Sequence, residues 1–250
     1  MKKILLFMFS LSIFLFSSCG EFTYLSNDWK NIGDEMSFKD WNFNIDNVDG
    51  SIEVIKVDPD NFKISVKNLE TPKRINELDF GANFIVINGS YFHEDYTPSG
   101  FLMIDGKRVG DRMFDQQKSA MMSISDNHFR ISDLQDEPII DTDVFDYALQ
   151  SFPLLIKDGK GFIKENSGKK SRRTAIGNDK QGNIYIFVSD SYLLSLYEFM
   201  EEILKMDIEI DEVINLDGGT STGLKVQYLG YKNLVDNLAL VPNVILFEKK

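Results

Sequence analysis

The stretch INLDGGTSTGL, Ile214 to Leu224, runs an apolar segment straight into an acid, two glycines and three hydroxyls. A buried strand does not tolerate an unpaired aspartate, and a plain surface turn needs less. Here Asp217 offers a carboxylate at the strand end, and Gly218 and Gly219 let backbone N–H groups approach a ligand. Thr220, Ser221 and Thr222 add hydroxyl donors and acceptors. No lysine follows the glycines as a phosphate-binding Walker loop requires. The acids needed at alternate positions of an EF-hand are missing too.

Two other segments carry side chains of the right types. In Asn88-Gly89-Ser90-Tyr91-Phe92 a polar residue closes an apolar run, glycine permits a sharp turn, and two aromatics offer faces suited to sugar rings. On its own this motif reads equally as a hairpin turn with two core aromatics. In Arg172-Arg173-Thr174-Ala175-Ile176-Gly177 an arginine precedes a β-prone run, and its planar fork suits phosphate or carboxylate. Adjacent arginines are also commonly just solvated. His93 and His128 are the only histidines and share no ligand-like spacing, so a zinc site has little support. No G-x-S-x-G elbow is present for a serine hydrolase.

The elements that must position these groups are mostly strands. Residues 51–58 and 61–68 alternate apolar and polar around Pro59-Asp60, which predicts a hairpin. FIVIN, Phe84 to Asn88, is continuously apolar, as in a strand covered on both faces. Further strands are expected at 100–107, 120–127, 152–160 and 183–190, each ending in turn residues. The last strand spans 238–247, with Pro242 marking a bulge or an edge. One helix is expected, because Leu193, Leu196, Tyr197, Met200, Ile203 and Leu204 recur at three and four, with Ser191 as N-cap. Ile184 to Val188, the helix, and Val213 to Asn215 then form a β-α-β unit with neighbouring parallel strands. The fold class expected is α+β: a strand-rich mixed sheet with a β-α-β unit near the C-terminus and few helices. Asp190 and Asp217 would follow parallel strands, and Asn88 would cap a third strand of the same sheet. Ligands gather beyond such strand ends. Asp190 alone reads equally well as a turn residue.

The chain opens with two lysines, an apolar run from Ile4 to Phe16, small residues and the only cysteine. This is the layout of a secretory leader over residues 1–18. The run is too short for an ordinary span of ~20 residues. Phe16-Ser17-Ser18-Cys19 resembles a bacterial lipobox, with Phe16 where leucine is usual. Cys19 would then carry the lipid, and the protein would be exported and anchored in the bacterial cell envelope. Residues 19–49 are expected as a tether and lead-in segment, followed by one domain over 50–250. A formal net charge of −12 argues against nucleic acid and against adsorption to an anionic membrane face. One cysteine excludes an intrachain disulfide, so stability must come from the core.

Taken in order, these segments resemble the phosphodiester glycosidase family. Asn88 to Phe92 matches its N-G-G-aromatic-Phe turn with Ser90 at the second glycine. Pro98, Gly100 and Asp105-Gly106 match a Pro-x-Gly strand and its turn, and Pro153 to Gly159 matches a Pro-Leu-Leu strand ending in DG. Arg173 to Gly177 matches R-T-A-I-G, the strand ending in Asp190 matches too, and Asn215 to Ser221 matches N-L-D-G-G-G-S with Thr220 at the third glycine. The resemblance implies hydrolysis of the bond between a sugar's anomeric carbon, GlcNAc-like by analogy, and a phosphodiester oxygen.

A phosphate ester leaves as a stable anion, so one carboxylate and a cationic clamp can replace the carboxylate pair of ordinary glycosidases. On this reading Asp217 is nucleophile or general base, Arg173 holds the phosphate, and Asp190 is the candidate second carboxylate. Asn88, Gly89, Tyr91, Phe92, Gly218, Gly219, Thr220 and Ser221 would line the substrate. No cofactor is required by the sequence, although Asp217 and nearby carbonyls offer oxygen ligands of the kind Ca²⁺ or Mg²⁺ takes. Two alternatives remain: a lipid-anchored glycan or sugar-phosphate binding protein without turnover, and a metal-dependent phosphodiesterase cutting P–O.

Overall fold

The structure, a computed structural model, describes residues 28–110, 119–140 and 144–250. Cys19 and the expected leader lie outside the described residues. The architecture is three β-sheets, and every strand pairing in them is antiparallel. Among the described residues there is one α-helix, Leu196–Leu204. The expected α+β class with a mixed sheet is therefore corrected to an all-antiparallel, mostly β fold.

The eight-stranded sheet runs in the spatial order Lys30–Asn31, Met36–Ile45, Val48–Val57, Ile184–Leu194, Ser171–Asp179, Ile210–Asn215, Leu154–Lys157 and Lys160–Gly161. One five-stranded sheet comprises Tyr231–Val235, Leu224–Tyr228, Phe84–Asn88, Val241–Lys249 and Phe62–Lys73. The other comprises Lys107–Arg108, Leu102–Ile104, Tyr147–Ser151, Ala120–Ser125 and His128–Asp133. All three wall one core. Ile55, Ile176 and Ile186 come from the first sheet, Ile85, Val226 and Phe247 from the second, and Met122 and Leu149 from the third. Each such side chain removed from water contributes roughly 1.5–3 kcal/mol. The far face of the eight-stranded sheet carries a second core, in which Phe199, Met200 and Ile203 of the helix cover Val54, Ala175, Phe187 and Val213.

Several expectations change for identifiable reasons. The strands of the β-α-β unit do run the same way, but Ser171–Asp179 lies between them and pairs antiparallel with both. The intruding strand fits because it is buried along Thr174 to Gly177, and a Cβ at Gly177 would lie 2.5 Å from the Glu212 carbonyl oxygen. The hairpin expected around Pro59-Asp60 does not form. Asp58 instead accepts a hydrogen bond from Asp60 N at 3.0 Å and caps a 3-10 turn, Pro59–Asn61, that carries the chain from one sheet to another. The tether expected over 19–49 is folded from residue 28 onward, since Met36–Ile45 pairs along its length with Val48–Val57 and buries Met36, Phe38 and Phe43. The helix cap is Ser195, four residues beyond Ser191, because the strand continues to Leu194. Two expectations hold. Phe84–Asn88 is buried throughout, and the last strand shifts register between Val241 and Asn243, at Pro242.

Candidate active site

The eight-stranded sheet and the sheet containing Phe84–Asn88 meet where several strands end, and Asn88 joins them. Its Nδ2 donates to the Asp217 carbonyl at 2.6 Å. Its Oδ1 accepts from Thr174 Oγ1 at 2.8 Å and from Gly223 N at 3.1 Å. Three segments far apart in sequence are thus pinned by one amide. Asn88 is fully buried, so it fixes the site from behind and does not face a ligand.

Gly89 follows with its N–H on the Asn243 carbonyl at 3.1 Å. A Cβ there would lie 2.0 Å from Asn243 Oδ1, so only glycine fits. The same Oδ1 accepts from Ser90 N at 2.8 Å. Ser90, which replaces the glycine of the related pattern, is itself buried against Asn243, its Oγ 3.4 Å from that oxygen.

The reactive face is set by register. Ala175 pairs with Asn215, and Leu216 N donates to Thr174 O at 2.9 Å. Continued by alternation, this register turns Arg173 and Asp217 toward the face of Ala175 and Asn215, and both charges act on Tyr91 there. Asp217 Oδ1 accepts from Gly218 N at 2.9 Å, which turns the carboxylate at the start of the glycine turn. Gly218 is needed because a Cβ there would lie 2.9 Å from the Arg172 carbonyl oxygen. Arg173 is held by its own surroundings: Nε donates to Leu194 O at 3.0 Å and Nη2 to Lys169 O at 2.6 Å. Burial works against its charge, while Tyr91 and Glu198 nearby support it.

Tyr91 completes this face. Its hydroxyl donates to Phe152 O at 3.0 Å and accepts from Asn215 Nδ2 at 2.7 Å. Burial, and then the charge of Asp217, push its pKa well above the usual phenol range, against the pull of Arg173. It is therefore a neutral phenol beside a carboxylate and a guanidinium. Asn215 Nδ2 also reaches Phe152 O at 2.9 Å and Leu216 O at 2.7 Å, which locks the phenol's orientation. At the helix start, Glu198 Oε2 accepts from Ser195 N at 2.7 Å, while Ser195 Oγ accepts from Glu198 N at 3.1 Å. Burial pushes the Glu198 carboxyl up, but hydrogen bonds from Ser195 and the nearby Lys170 leave it below its usual value. It is an anion on the Arg173 side of the sheet.

The remaining sequence candidates fall elsewhere or play backbone roles. Asp190 lies within the strand Ile184–Leu194, one residue past Ser189, which pairs with Arg173. Alternation turns Asp190 to the opposite face, where it acts electrostatically on Glu53. The structure does not bring it together with Asp217. Phe92 packs toward Ile75, Val86 and Leu246 on the outer face of another sheet and stacks on Tyr96 at 5.7 Å. Gly219–Ser221 form a 3-10 turn with Ser221 buried and Thr220 exposed, and Thr220 O accepts from Leu238 N at 2.7 Å and Ala239 N at 2.9 Å. Sequence reasoning missed Asn215, Asn243, Thr174 and Glu198. The pattern Ser195-x-x-Glu198 ahead of an apolar run is a capping box and was available as a signal for the last. Among the described residues, no three His, Cys, Asp or Glu side chains gather as a metal site.

Residues 81–248 match the phosphodiester glycosidase family, and the chain belongs to it. A human N-acetylglucosamine-1-phosphodiester alpha-N-acetylglucosaminidase is 31% identical over 110 residues, covering 35% of this chain and 21% of the human protein. The chain thus aligns with about a fifth of the length of that relative. The zebrafish N-acetylglucosamine-1-phosphodiester alpha-N-acetylglucosaminidase catalytic domain, auto-inhibited by its pro-peptide, superimposes with a TM-score of 0.66 at 17% identity, covering 86% of this chain and 83% of that one. A Synechocystis protein superimposes with a TM-score of 0.58 at 14% identity, covering 90% of this chain and 64% of that one. Both structures share the fold.

Proposed function

We propose that this member of the phosphodiester glycosidase family hydrolyses the bond between the anomeric carbon of a GlcNAc-like sugar and a phosphodiester oxygen, releasing free sugar. The observation that carries this reading is the convergence of Asp217 and Arg173 on the buried Tyr91 hydroxyl, which feels both charges. Asp217 is the carboxylate at the anomeric carbon, as nucleophile or as the base that takes a proton from water. In either course the C1–O bond breaks, its electron pair leaves on the phosphate, and water oxygen ends on C1. The leaving phosphate monoester is weakly basic, so no carboxylic acid need protonate it. Arg173 meets the charge that develops on its oxygens. Its two backbone contacts fix the guanidinium before substrate arrives, and such preorganisation is what makes a cation effective in a transition state.

The sequence supports a setting in the bacterial cell envelope, with Cys19 as the point of lipid attachment. Replacing Cys19 by alanine is expected to release the protein from the membrane fraction, which fractionation and immunoblotting would read. For the activity, the mature domain is incubated with the methyl phosphodiester of GlcNAc-1-phosphate and free sugar is quantified. Sugar from the native domain and none from a folded Asp217→Asn variant supports the reading. Saturable binding with no sugar released would replace it with a binding protein.

A further inference from the structure

We propose that the site takes a polyanionic substrate, a chain of sugar units joined through several phosphodiesters, and that the basic segment 164–173 holds the phosphates next to the one being cleaved. This rests on the phosphodiester glycosidase reading of the site and deepens it. One scissile phosphate needs one clamp, and Arg173 supplies it. The segment KENSGKKSRR adds Lys164, Lys169, Lys170 and Arg172 to that arginine and holds a single acid, Glu165, in a chain whose net charge is −12. An acidic protein repels a polyanion over most of its surface, so a local basic strip decides where such a substrate can approach.

Hydrogen bonds attach the strip to the site. The Lys169 carbonyl accepts from Arg173 Nη2 at 2.6 Å, so the loop backbone and the phosphate clamp are one unit. The Asn166 side chain lies near Glu198 and acts on its carboxyl, on the same side of the sheet as Arg173. Lys170 Nζ reaches Asp46 Oδ2 at 3.0 Å and ties the loop to the neighbouring hairpin just before the strand begins. Residues 164–170 are all exposed. Lys164 Nζ meets only a backbone carbonyl, Gly161 O at 2.9 Å, and among the described residues neither Lys164 nor Lys169 forms an ion pair. Arg172 turns the other way, with Nη2 on the Asp236 carbonyl at 3.0 Å. Lys164 and Lys169 are therefore the two uncompensated charges. A phosphate that comes within a Debye length of them, ~8 Å at physiological ionic strength, would feel their charge.

The test is binding, read by calorimetry on the Asp217→Asn variant so that turnover does not intervene. The probes are the methyl diester of GlcNAc-1-phosphate and a trimer of GlcNAc-1-phosphate units linked through phosphodiesters. The proposal expects the trimer to bind about tenfold more tightly at low salt. That advantage should disappear at 0.5 M salt, and also when Lys164→Glu and Lys169→Glu are added to the same background, with monomer binding unchanged. Equal binding of trimer and monomer overturns the proposal. So does an equal loss for both probes in the charge-reversed variant, or equally tight binding of a sugar-free polyphosphate. Sugar release from the monomer by the native domain, measured in parallel, reports on the underlying activity separately. Failure there with the trimer advantage intact would leave a polyanion-binding cleft without this chemistry.

Discussion

Two groups of acids lie back to back at the same end of the eight-stranded sheet, and they have opposite characters. On the face covered by the helix, Asp217 and Arg173 both act on Tyr91, whose hydroxyl is held between the Asn215 amide and the Phe152 carbonyl. On the other face, Glu53 lies beside Asp40 and Asp190, and its Oε2 accepts from Asn233 Nδ2 at 2.6 Å. Burial, and then the neighbouring acids, raise the Glu53 carboxyl to about 7. Buried beside like charges, Glu53 holds its proton more tightly than a free carboxyl. One residue of register along the strand Ile184–Leu194 decides which of these environments Asp190 joins.

The comparison is most easily broken at Asp217. Asp217→Asn keeps the shape of the turn and removes the charge, and is expected to lower kcat on a sugar phosphodiester by about 10³-fold or more. Initial-rate measurement of free sugar checks it. Arg173→Ala is expected to cost about 10²–10³-fold, mostly in kcat because the charge it meets develops in the transition state. Steady-state kinetics separates that from a simple rise in KM.

The acidic face gives smaller effects of a different kind. A Glu53 carboxyl at about 7 in the fold, against an ordinary value of 4.5, binds more protons folded than unfolded between those pH values. Its contribution is therefore fully present below about pH 4.5 and is lost as pH rises through about 7. Glu53→Gln should raise stability at pH 8 by roughly 1–2 kcal/mol, discounted for partial exposure, and leave it unchanged at pH 4. Urea unfolding at the two pH values reads this directly. The smallest effect is expected for Asp190→Asn, which should leave kcat/KM within about twofold of native because it lies on the wrong face. A loss as large as that of Arg173→Ala would break the distinction between the two faces.

The elements of this fold were more legible than their pairing. The amphipathic helix shows in the spacing of Leu196, Met200 and Ile203, and the buried strand in FIVIN, because both signals are local. Pairing is not local. Residues 51–58 and 61–68 look like a hairpin since each alternates, yet the Asp58 cap and Pro59 turn the chain into a different sheet. The insertion of Ser171–Asp179 between two parallel strands also leaves no local trace, since an apolar run pairs equally well in either direction. The same limit governs the site. Asn88, Gly89, Tyr91, Arg173 and Asp217 were readable as polar or glycine residues interrupting apolar strands, and the structure gathers them. Asp190 has the same appearance, but its face depends on register across the sheet. Asn215 and Asn243 look like ordinary strand polar residues until Tyr91 and Gly89 are packed against them.

The proposed role of the Asp217 carboxylate is to promote cleavage at the anomeric carbon. It is tested most directly by running the reaction on GlcNAc-1-phosphodiester in ¹⁸O-labelled water and locating the label by mass spectrometry. The account predicts label in the free sugar and unlabelled phosphate monoester, with neither product formed by Asp217→Asn. Label in the phosphate product would mean that P–O is cut, and would contradict it.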